Sequence, residues 1–318
     1  RMGLRTDALV RLLDAAGRVA AWNDDAEDKE MGLLTHHADS YLAAKLPAAG
    51  AYFVQVSEAQ HHGGASYRYA VRIGSRQPDF ALRVTPSSVN VPPGGAAQIT
   101  VYALRKDGWD GDIEVALKDA PAGYTLSGGR IPAGREAVRM TLTAPRDTRR
   151  RPATEPLALT LEGRAQIGNA TVVRPIVPTE RMMQAFASYH LVPARQLLVT
   201  LTREARFTPA IALAKDGAAR IPTGGRLEVV CTIRPMPNLP LTFELSDPPA
   251  GVTLEAAKTG PDGVTLVLRA DDKHAGYADN LIVEVFTEVE LKRPDGTTQK
   301  QRVSVGVLPA IPFTILAP

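Results

Sequence analysis

Apolar side chains recur at every second residue through most of this chain, and that period constrains the fold more than any other sequence feature. Successive side chains of a β-strand point to opposite faces, so the alternation predicts half-buried antiparallel strands. Turn sequences such as PPGG, KDG and PAG separate the runs, which is typical of a β-sandwich. The clearest runs are Tyr67, Tyr69, Val71 and Ile73, then Ile99, Val101 and Ala103, then Ile113, Val115 and Leu117, and then Val138, Met140 and Leu142.

Composition supports the same fold class and argues against two kinds of partner. Hydrophobic residues make up 44% of the 318 residues, and the 26 glycines and 25 prolines suit short strands joined by tight turns. The net charge is only +3, and no basic cluster is interleaved with aromatic residues, so we expect no nucleic-acid partner. No apolar run approaches the roughly 18 residues that a membrane helix requires, so we expect no membrane span.

Two stretches of the chain repeat one pattern of turns and strands. PPGG at 92–95 precedes PAGYTL at 121–126, and PTGG at 222–225 precedes PAGVTL at 249–254. Two alternating strands lie between the two turns of each copy, and a further strand follows each PAG turn. Recurrence of this kind indicates two copies of one sandwich module.

Residues 178–193, PTERMMQAFASYHLVP, depart from the strand pattern. Met182, Met183, Phe186 and Tyr189 have helical spacing, Thr179 suits an N-cap, and a proline follows the last of them. We therefore predict a short amphipathic helix over 179–190 that covers a sheet edge or a domain junction. The alternative interpretation is a helix on which a partner docks.

Three segments occur in order within the first 78 residues: LVRLLDAAGRVAAWNDD, ADSYLAAKLPAAGAYFVQV and GGASYRYAVRI. Together they resemble the bacterial pre-peptidase C-terminal domain family. The resemblance implies a small jelly-roll-like sandwich, of a kind that is secreted beside proteases and other exported enzymes. The rest of the chain looks like the immunoglobulin-like modules of large exported bacterial proteins.

The predicted fold is therefore all-β, with tandem antiparallel β-sandwiches and one short helical connector. We expect a pre-peptidase C-terminal sandwich over 1–78, an immunoglobulin-like sandwich over 79–205 that includes the helical insert 179–190, and a second immunoglobulin-like sandwich over 206–318.

The resemblance begins part-way through the family's fold, so we expect the early strands of the first sandwich to be missing from residues 1–78. A sandwich without those strands exposes open sheet edges and apolar surface. We therefore expect a protein partner, or an upstream part of the same polypeptide, to complete it.

Two loops within residues 1–78 contain most of the candidate ligands: NDDAEDKEMGLLTHHADS at 23–40 and QHHGGA at 60–65. If successive strands run antiparallel, both loops project from the same end of the module. The candidate metal ligands that follow from this arrangement are Asn23, Asp24, Asp25, Asp39, His36 and His61.

Three interpretations of these loops stay open. Oxygen ligands suit calcium, and the resemblance points the same way, because related domains of some bacterial collagenases bind calcium near such acids, with NDD and DS as the residues carried over. One histidine from each pair, together with an acid, suits zinc or copper. The third interpretation is a solvated polar loop that binds no metal.

The sequence lacks the motifs of common hydrolases. HExxH, GxSxG and GxxxxGK[ST] do not occur, and the single cysteine, Cys231, is in phase with Leu227, Val229 and Ile233. That phase predicts a small core residue rather than a nucleophile.

We therefore predict no enzyme activity. The expected function is that of a non-catalytic, exported bacterial scaffold or binding protein, whose modules serve a larger polypeptide or a surface assembly and lie outside the cell, in the periplasm or at the cell surface. One alternative is a metal-dependent hydrolase that uses the histidine and aspartate cluster. The other is a carbohydrate- or matrix-binding module in which Tyr67 or Trp109 stacks on the ligand.

Overall fold

The computed structural model describes residues 7–27, 36–37, 40–146, 155–183, 189–202, 209–212, 218–233, 240–261, 263–292 and 298–317. All regular secondary structure in these ranges is β-structure, so the predicted all-β class is confirmed. The chain divides into two compact units. The first contains Arg1–Pro78 and Arg181–Val192, and the second contains Asp79–Glu180 and Pro193–Pro318.

The first unit is built on a three-stranded antiparallel sheet in the order β2-β1-β5. In its central strand, Val10 lies opposite Asn23 on one side and Val56 on the other. A short ladder between β3 and β4 places Glu27 opposite His36. The strands of this part are β1 (Ala8–Leu13), β2 (Val19–Asn23), β3 (Ala26–Glu27), β4 (His36–His37) and β5 (Phe53–Glu58).

Among the described residues, no second layer covers the apolar side chains of this three-stranded sheet. No described residue between 7 and 78 is buried, and Trp22 and Phe53 are 59% and 56% exposed. The strand predicted over Tyr67–Ile73 is wrong, because this segment has no regular structure and Ile73 is 75% exposed. Alternation stabilises a strand only where one face packs against other side chains, and this segment has no such layer.

The second unit contains two sandwich modules. The strands of the first module are β6 (Asp79–Thr85), β7 (Ser88–Val91), β8 (Ala96–Lys106), β9 (Ile113–Lys118), β10 (Thr125–Ser127), β11 (Arg130–Ile131), β12 (Ala137–Thr143), β13 (Leu157–Ile167), β14 (Ala170–Met183) and β16 (Leu197–Leu201). Between β14 and β16 runs β15 (Tyr189–Pro193), most of which belongs to the segment Arg181–Val192 of the first unit. Those of the second module are β17 (Pro209–Ala212), β18 (Ala219–Ile221), β19 (Arg226–Ile233), β20 (Leu241–Leu245), β21 (Val252–Gly260), β22 (Gly263–Ala270), β23 (Ala278–Leu281), β24 (Val283–Lys292), β25 (Thr298–Val307) and β26 (Ile311–Ile315).

Both modules pair their strands in the same way. The antiparallel pair β8–β12 corresponds to β19–β22, the pair β9–β13 to β20–β24, and the pair β13–β14 to β24–β25. The parallel pair β7–β16 of the first module corresponds to β18–β26 of the second, and the first module contains a further parallel pair, β14–β6. Antiparallel sheets of this kind, packed face to face, are the immunoglobulin-like arrangement.

The repeated turn motifs form matching hydrogen bonds, which confirms the internal repeat. In 92–95 and in 222–225, the N–H of the last glycine donates to the carbonyl of the first proline at 2.8 Å. The carbonyl of that same glycine accepts a hydrogen bond at 3.0 Å, from Ala144 N–H in the first copy and Ala270 N–H in the second. The third residue of each turn has a φ of 70° or 66°, which favours the glycine found there.

Each module has its own hydrophobic core, lined by the alternating residues that the sequence singled out. In the first module Ile99, Val101 and Met140 are no more than 1% exposed, and in the second Cys231 and Ile233 are fully buried. Side chains at every second position of β8 and β19 therefore face inward, as the period-two pattern predicted.

The predicted helix over 179–190 is wrong. β14 runs through Met183 and β15 begins at Tyr189, while residues 184–188 lie outside the described part of the chain. The pairing of β14 with β6 explains the difference, because Thr179 is buried and its Oγ1 donates to Val84 O at 3.0 Å. The two methionines that suggested a buried helical face, Met182 and Met183, are 56% and 68% exposed. Sheet pairing thus overrides the helical spacing.

Asp79 at the start of β6 is held by Arg174 on β14. Arg174 Nε and Nη2 donate to the two carboxylate oxygens at 3.1 and 3.0 Å, and Phe80 N–H donates to Oδ1 at 2.8 Å. Burial acts to raise the pKa of Asp79, but the bonds from Arg174 and Phe80, with the charges of Arg174 and Lys106, hold this pKa below its ordinary value of 3.8.

We expect the stability of this module to depend on the charge of Asp79. Because the folded-state pKa is depressed, the stabilisation is present above the unfolded pKa of about 3.9 and is lost as the pH falls through the folded value. Asp79→Asn should therefore lower the free energy of unfolding by about 0.5–1 kcal/mol at pH 7, since the pair is partly exposed. The urea midpoints of the variant and the natural chain should converge towards pH 2. Asp272→Asn, at an exposed aspartate, is the control, and a difference that stays constant with pH would contradict the prediction.

Candidate functional site

The two candidate loops leave the same end of the first sheet. β2 ends at Asn23, which lies opposite Val10, and β5 ends at Glu58, which lies opposite Ala8. The residues that follow β2 and β5 therefore start near the beginning of β1. This is the arrangement that the antiparallel strand order predicted for the acidic loop and the second histidine loop.

The six predicted metal ligands are only partly placed by the structure. Asp24, Asp25 and His61 are exposed, and His61 has a φ of 61°. The backbone of His36 lies in β4, and Asp39 lies outside the described residues. Within the part of the chain that the structure describes, no three histidine, cysteine, aspartate or glutamate residues group together as a metal site would require. The ligand set therefore stays a prediction.

Asn23 closes the base of the acidic loop. Its Nδ2 donates to Asp25 O at 2.9 Å, and its Oδ1 accepts a hydrogen bond from Tyr41 N–H at 3.0 Å. Ser40 makes a second connection, because its Oγ donates to Asp24 O at 3.0 Å and also lies against Ala8 O. The side chains of Asn23, in NDD, and of Ser40, in DS, thus hold the two ends of this loop together.

Glu58 and His62 organise the second loop, a role that the sequence analysis missed. His62 N–H donates to Glu58 Oε2 at 2.7 Å, and His62 Nδ1 lies 3.7 Å from the same oxygen. The Glu58 side chain is only 7% exposed, and the His62 ring stacks on Tyr67 at 5.9 Å between centroids. In the second loop it is therefore His62, and not the predicted ligand His61, that lies beside this glutamate. The four-residue spacing of Glu58 and His62 is the one signal that could have indicated the contact.

Trp109 uses its ring inside the first module of the second unit. The ring stacks on buried Phe80 at 5.4 Å between centroids, and the Arg105 guanidinium lies 5.3 Å from its centre. A Cβ at Gly111 would lie 2.8 Å from the indole, so the next turn of chain also packs closely on it. Trp109 anchors a hairpin to the core in this structure, which argues against it as the stacking residue of a sugar site.

Cys231 lies in the core of the second module, as predicted, and is fully buried. Burial raises the pKa of its thiol to about 12. The reactive form of cysteine is the thiolate, which is negligible at neutral pH when the pKa is so high. The thiol therefore has the properties of a packing residue and not of a nucleophile.

Cys231 should be protected from a thiol reagent such as 5,5′-dithiobis-(2-nitrobenzoic acid) at pH 8 until the second module opens. We expect no labelling of the native chain over minutes and stoichiometric labelling in denaturing urea. Cys231→Val, which conserves size and apolarity, should change the free energy of unfolding by less than about 1.5 kcal/mol, whereas Cys231→Asp should unfold the module. Rapid labelling under native conditions would show that the thiol is accessible.

Comparison with known proteins does not identify a family for this chain. No family model matches the chain, and no curated protein matches it. Among solved structures, a chimeric titin Z1Z2 functionalised with a KLER exogenous peptide from decorin aligns with 77% of this chain and 100% of the titin chain, at 12% sequence identity and a TM-score of 0.20.

The class of the protein follows from its own architecture. It is an all-β protein of β-sandwich type with immunoglobulin-like modules. Its described residues include no helix with the length and apolarity to cross a membrane.

Proposed function

We propose that this chain is a non-catalytic, exported bacterial scaffold or binding protein, acting outside the cell, in the periplasm or at the cell surface. Its first unit binds a protein partner, or a preceding part of the same polypeptide, that completes the sandwich. The two immunoglobulin-like modules serve as the support. The resemblance of residues 1–78 to the pre-peptidase C-terminal family, whose members accompany exported enzymes, supports the location.

One observation carries this proposal: three large apolar side chains are exposed on one face of the sheet β2-β1-β5, beside Arg11 and Gln55. Val19, Trp22 and Phe53 are between 52% and 59% exposed. Strand register places all three on one face, because Trp22 lies opposite Arg11, and Val19 and Phe53 both lie opposite Leu13. Side chains that lie directly opposite, or two residues apart along a strand, share a face.

Covering this face would release substantial free energy. The remaining exposed area of one such aromatic side chain is worth about 1–2 kcal/mol on burial. The two modules that follow each enclose a hydrophobic core, whereas none of the described residues of the first sheet is buried. Exposed apolar patches on soluble proteins typically mark interaction sites.

The edges of the same sheet offer a second means of attachment. β2 and β5 are its outer strands, and among the described residues neither has a further strand on its outer side. An extended segment of a partner can pair with such an edge through backbone hydrogen bonds, while its side chains cover the apolar face. The two contributions together favour a partner that adds strands.

The partner hypothesis is tested with the full chain as bait against the secreted proteins of its source organism. Retention of a specific partner should fall about tenfold or more in Trp22→Ser/Phe53→Ser, because aromatic side chains dominate interface energies. Val173→Ser/Val303→Ser is the matched control, since it removes two exposed apolar side chains from the modules. Equal retention by both double variants would contradict the proposal.

Two other results would favour the alternative functions. Hydrolytic turnover that His36→Ala or His61→Ala abolishes would show a metal-dependent hydrolase. Binding to a glycan array that Tyr67→Ala abolishes would show a carbohydrate-binding module.

We propose calcium as the ion of the acidic loop, with Asn23, Asp24, Asp25 and Asp39 as oxygen ligands. Extracellular calcium modules have Kd values on the order of 0.1–1 mM. At a Kd of about 0.1 mM, 1 mM calcium should stabilise the first unit by about 1.4 kcal/mol. Calorimetric titration of the full chain should show this binding weakening as the pH falls and carboxylates are protonated.

The calcium experiment separates the three interpretations of the loops. Asp24→Asn/Asp25→Asn should abolish the calcium heat, and Asp272→Asn should not. Zinc binding that His61→Ala removes, without any calcium heat, would favour the histidine site. The absence of heat with either ion would favour a solvated loop.

A further inference from the structure

The two modules of the second unit meet along a polar boundary, which we call the seam. Its residues come from β12, the turn before it and the turn between β10 and β11 in the first module, and from β23, the residue before it and two loops in the second. They are Gly128, Arg135, Arg139 and Thr141 on one side, and Asp247, Tyr277, Asp279, Asn280 and Ala310 on the other.

Asn280 is the most constrained residue of the seam. It is 4% exposed, and its Nδ2 donates to Gly128 O and to Arg139 O, each at 2.8 Å. Both acceptors belong to the other module, so one amide group binds β12 and the turn between β10 and β11 of its neighbour. A Cβ at Gly128 would lie 2.2 Å from Nδ2, which shows how closely the backbone approaches this amide.

Thr141 makes a second buried connection in the opposite direction. Its Oγ1 accepts a hydrogen bond from Ala310 N–H at 2.6 Å, and the two residues are 0% and 3% exposed. Ala310 lies between β25 and β26, so this bond ties the connection of two strands in the second module to β12 of the first. Neither group is accessible to water that could replace the bond.

Charged groups surround these two connections. Arg135 forms an ion pair with Asp279 and lies 4.9 Å from the centre of the Tyr277 ring. The Tyr277 hydroxyl donates to the same carboxylate at 3.1 Å. On the other side, Arg139 Nη1 lies 3.6 Å from Asp247 Oδ2, and its side chain is only 18% exposed.

Backbone pairing also crosses the boundary. Val307 at the end of β25 pairs with Ala96 at the start of β8. The strand series β6-β8 of the first module and β25-β24-β20 of the second are thereby part of one sheet. The modules are thus joined by side-chain bonds and by a sheet contact, in addition to the chain that links them.

We propose that the seam holds the two modules as one rigid body and couples their unfolding. Hydrogen bonds are directional. A slide of a few ångströms between the modules therefore leaves the amide of Asn280, the hydroxyl of Thr141 and their partners buried without hydrogen bonds. Apolar contact alone would tolerate such a slide, because it is non-directional. This proposal does not depend on the function proposed for the first unit.

The chain contains a separate reporter for each module. Trp109 is stacked on the core of the first module, and Cys231, the single cysteine, is buried in the second. In the full chain carrying Trp22→Phe, fluorescence reports the first module and thiol labelling reports the second. If the seam couples the modules, their urea midpoints coincide.

Each seam variant is measured in the module that does not carry the change. Thr141→Val, in the first module, should speed native-state labelling of Cys231 by about tenfold, because it leaves Ala310 N–H buried and unpaired. Asn280→Ala, in the second module, should lower the urea midpoint reported by Trp109. Asn90→Ala, at an exposed asparagine of the first module, is the control and should change neither reporter.

Either missing cross-effect overturns the proposal. If Thr141→Val labels at the rate of Asn90→Ala, or if Asn280→Ala leaves the Trp109 midpoint unchanged, the modules unfold independently. Different urea midpoints for Trp109 fluorescence and Cys231 labelling in the parent chain would also show that the modules unfold independently. If Asn280→Ala does not fold, Asn280→Asp, which conserves shape and removes the donated hydrogens, takes its place in the measurement.

Discussion

A β-sheet with an apolar face has to cover that face, and this requirement decides how each part of the chain behaves. Residues 79–317 meet the requirement twice, with side chains such as Val101 and Ile233 buried between packed sheets. The sheet formed by β1, β2 and β5 does not meet it among the described residues, and Trp22 and Phe53 remain more than half exposed. The same alternating pattern is present in both parts, so the contrast in exposure arises from whether a second sheet packs on the first.

The requirement also explains where sequence reasoning succeeded. The alternating positions of β8, β12 and β19 face a core, and glycines at 94 and 224 sit in turns with positive φ, so period and turn chemistry were sufficient to predict them. The repeat followed from the same two signals. Each of these features is local, and each is read from fewer than about ten consecutive residues.

Prediction from the sequence failed where a distant segment of the chain determines the local structure. The helical spacing of Met182 and Met183 is local, but parallel pairing with β6 extends the chain through Thr179. The alternation of Tyr67–Ile73 has no layer to pack against, so it does not produce a strand. The candidate loops show the same limit: strand order predicted that they leave one end of the sheet, whereas the contact of Glu58 with His62 and the closure of the acidic loop by Asn23 and Ser40 depend on side-chain geometry.

The seam shows how a repeat can keep its copies distinct. The matching bonds of Ala144 to Gly95 and of Ala270 to Gly225 align the two copies residue by residue, so that Val267 and Thr265 occupy the positions of Thr141 and Arg139. Valine offers no acceptor for a backbone N–H, and threonine cannot reach as arginine does. The surface that binds the second module is therefore present on the first copy and absent from the second. Tandem modules of similar shape are prone to mispairing during folding, and polar groups confined to one copy give the pair a single order of assembly.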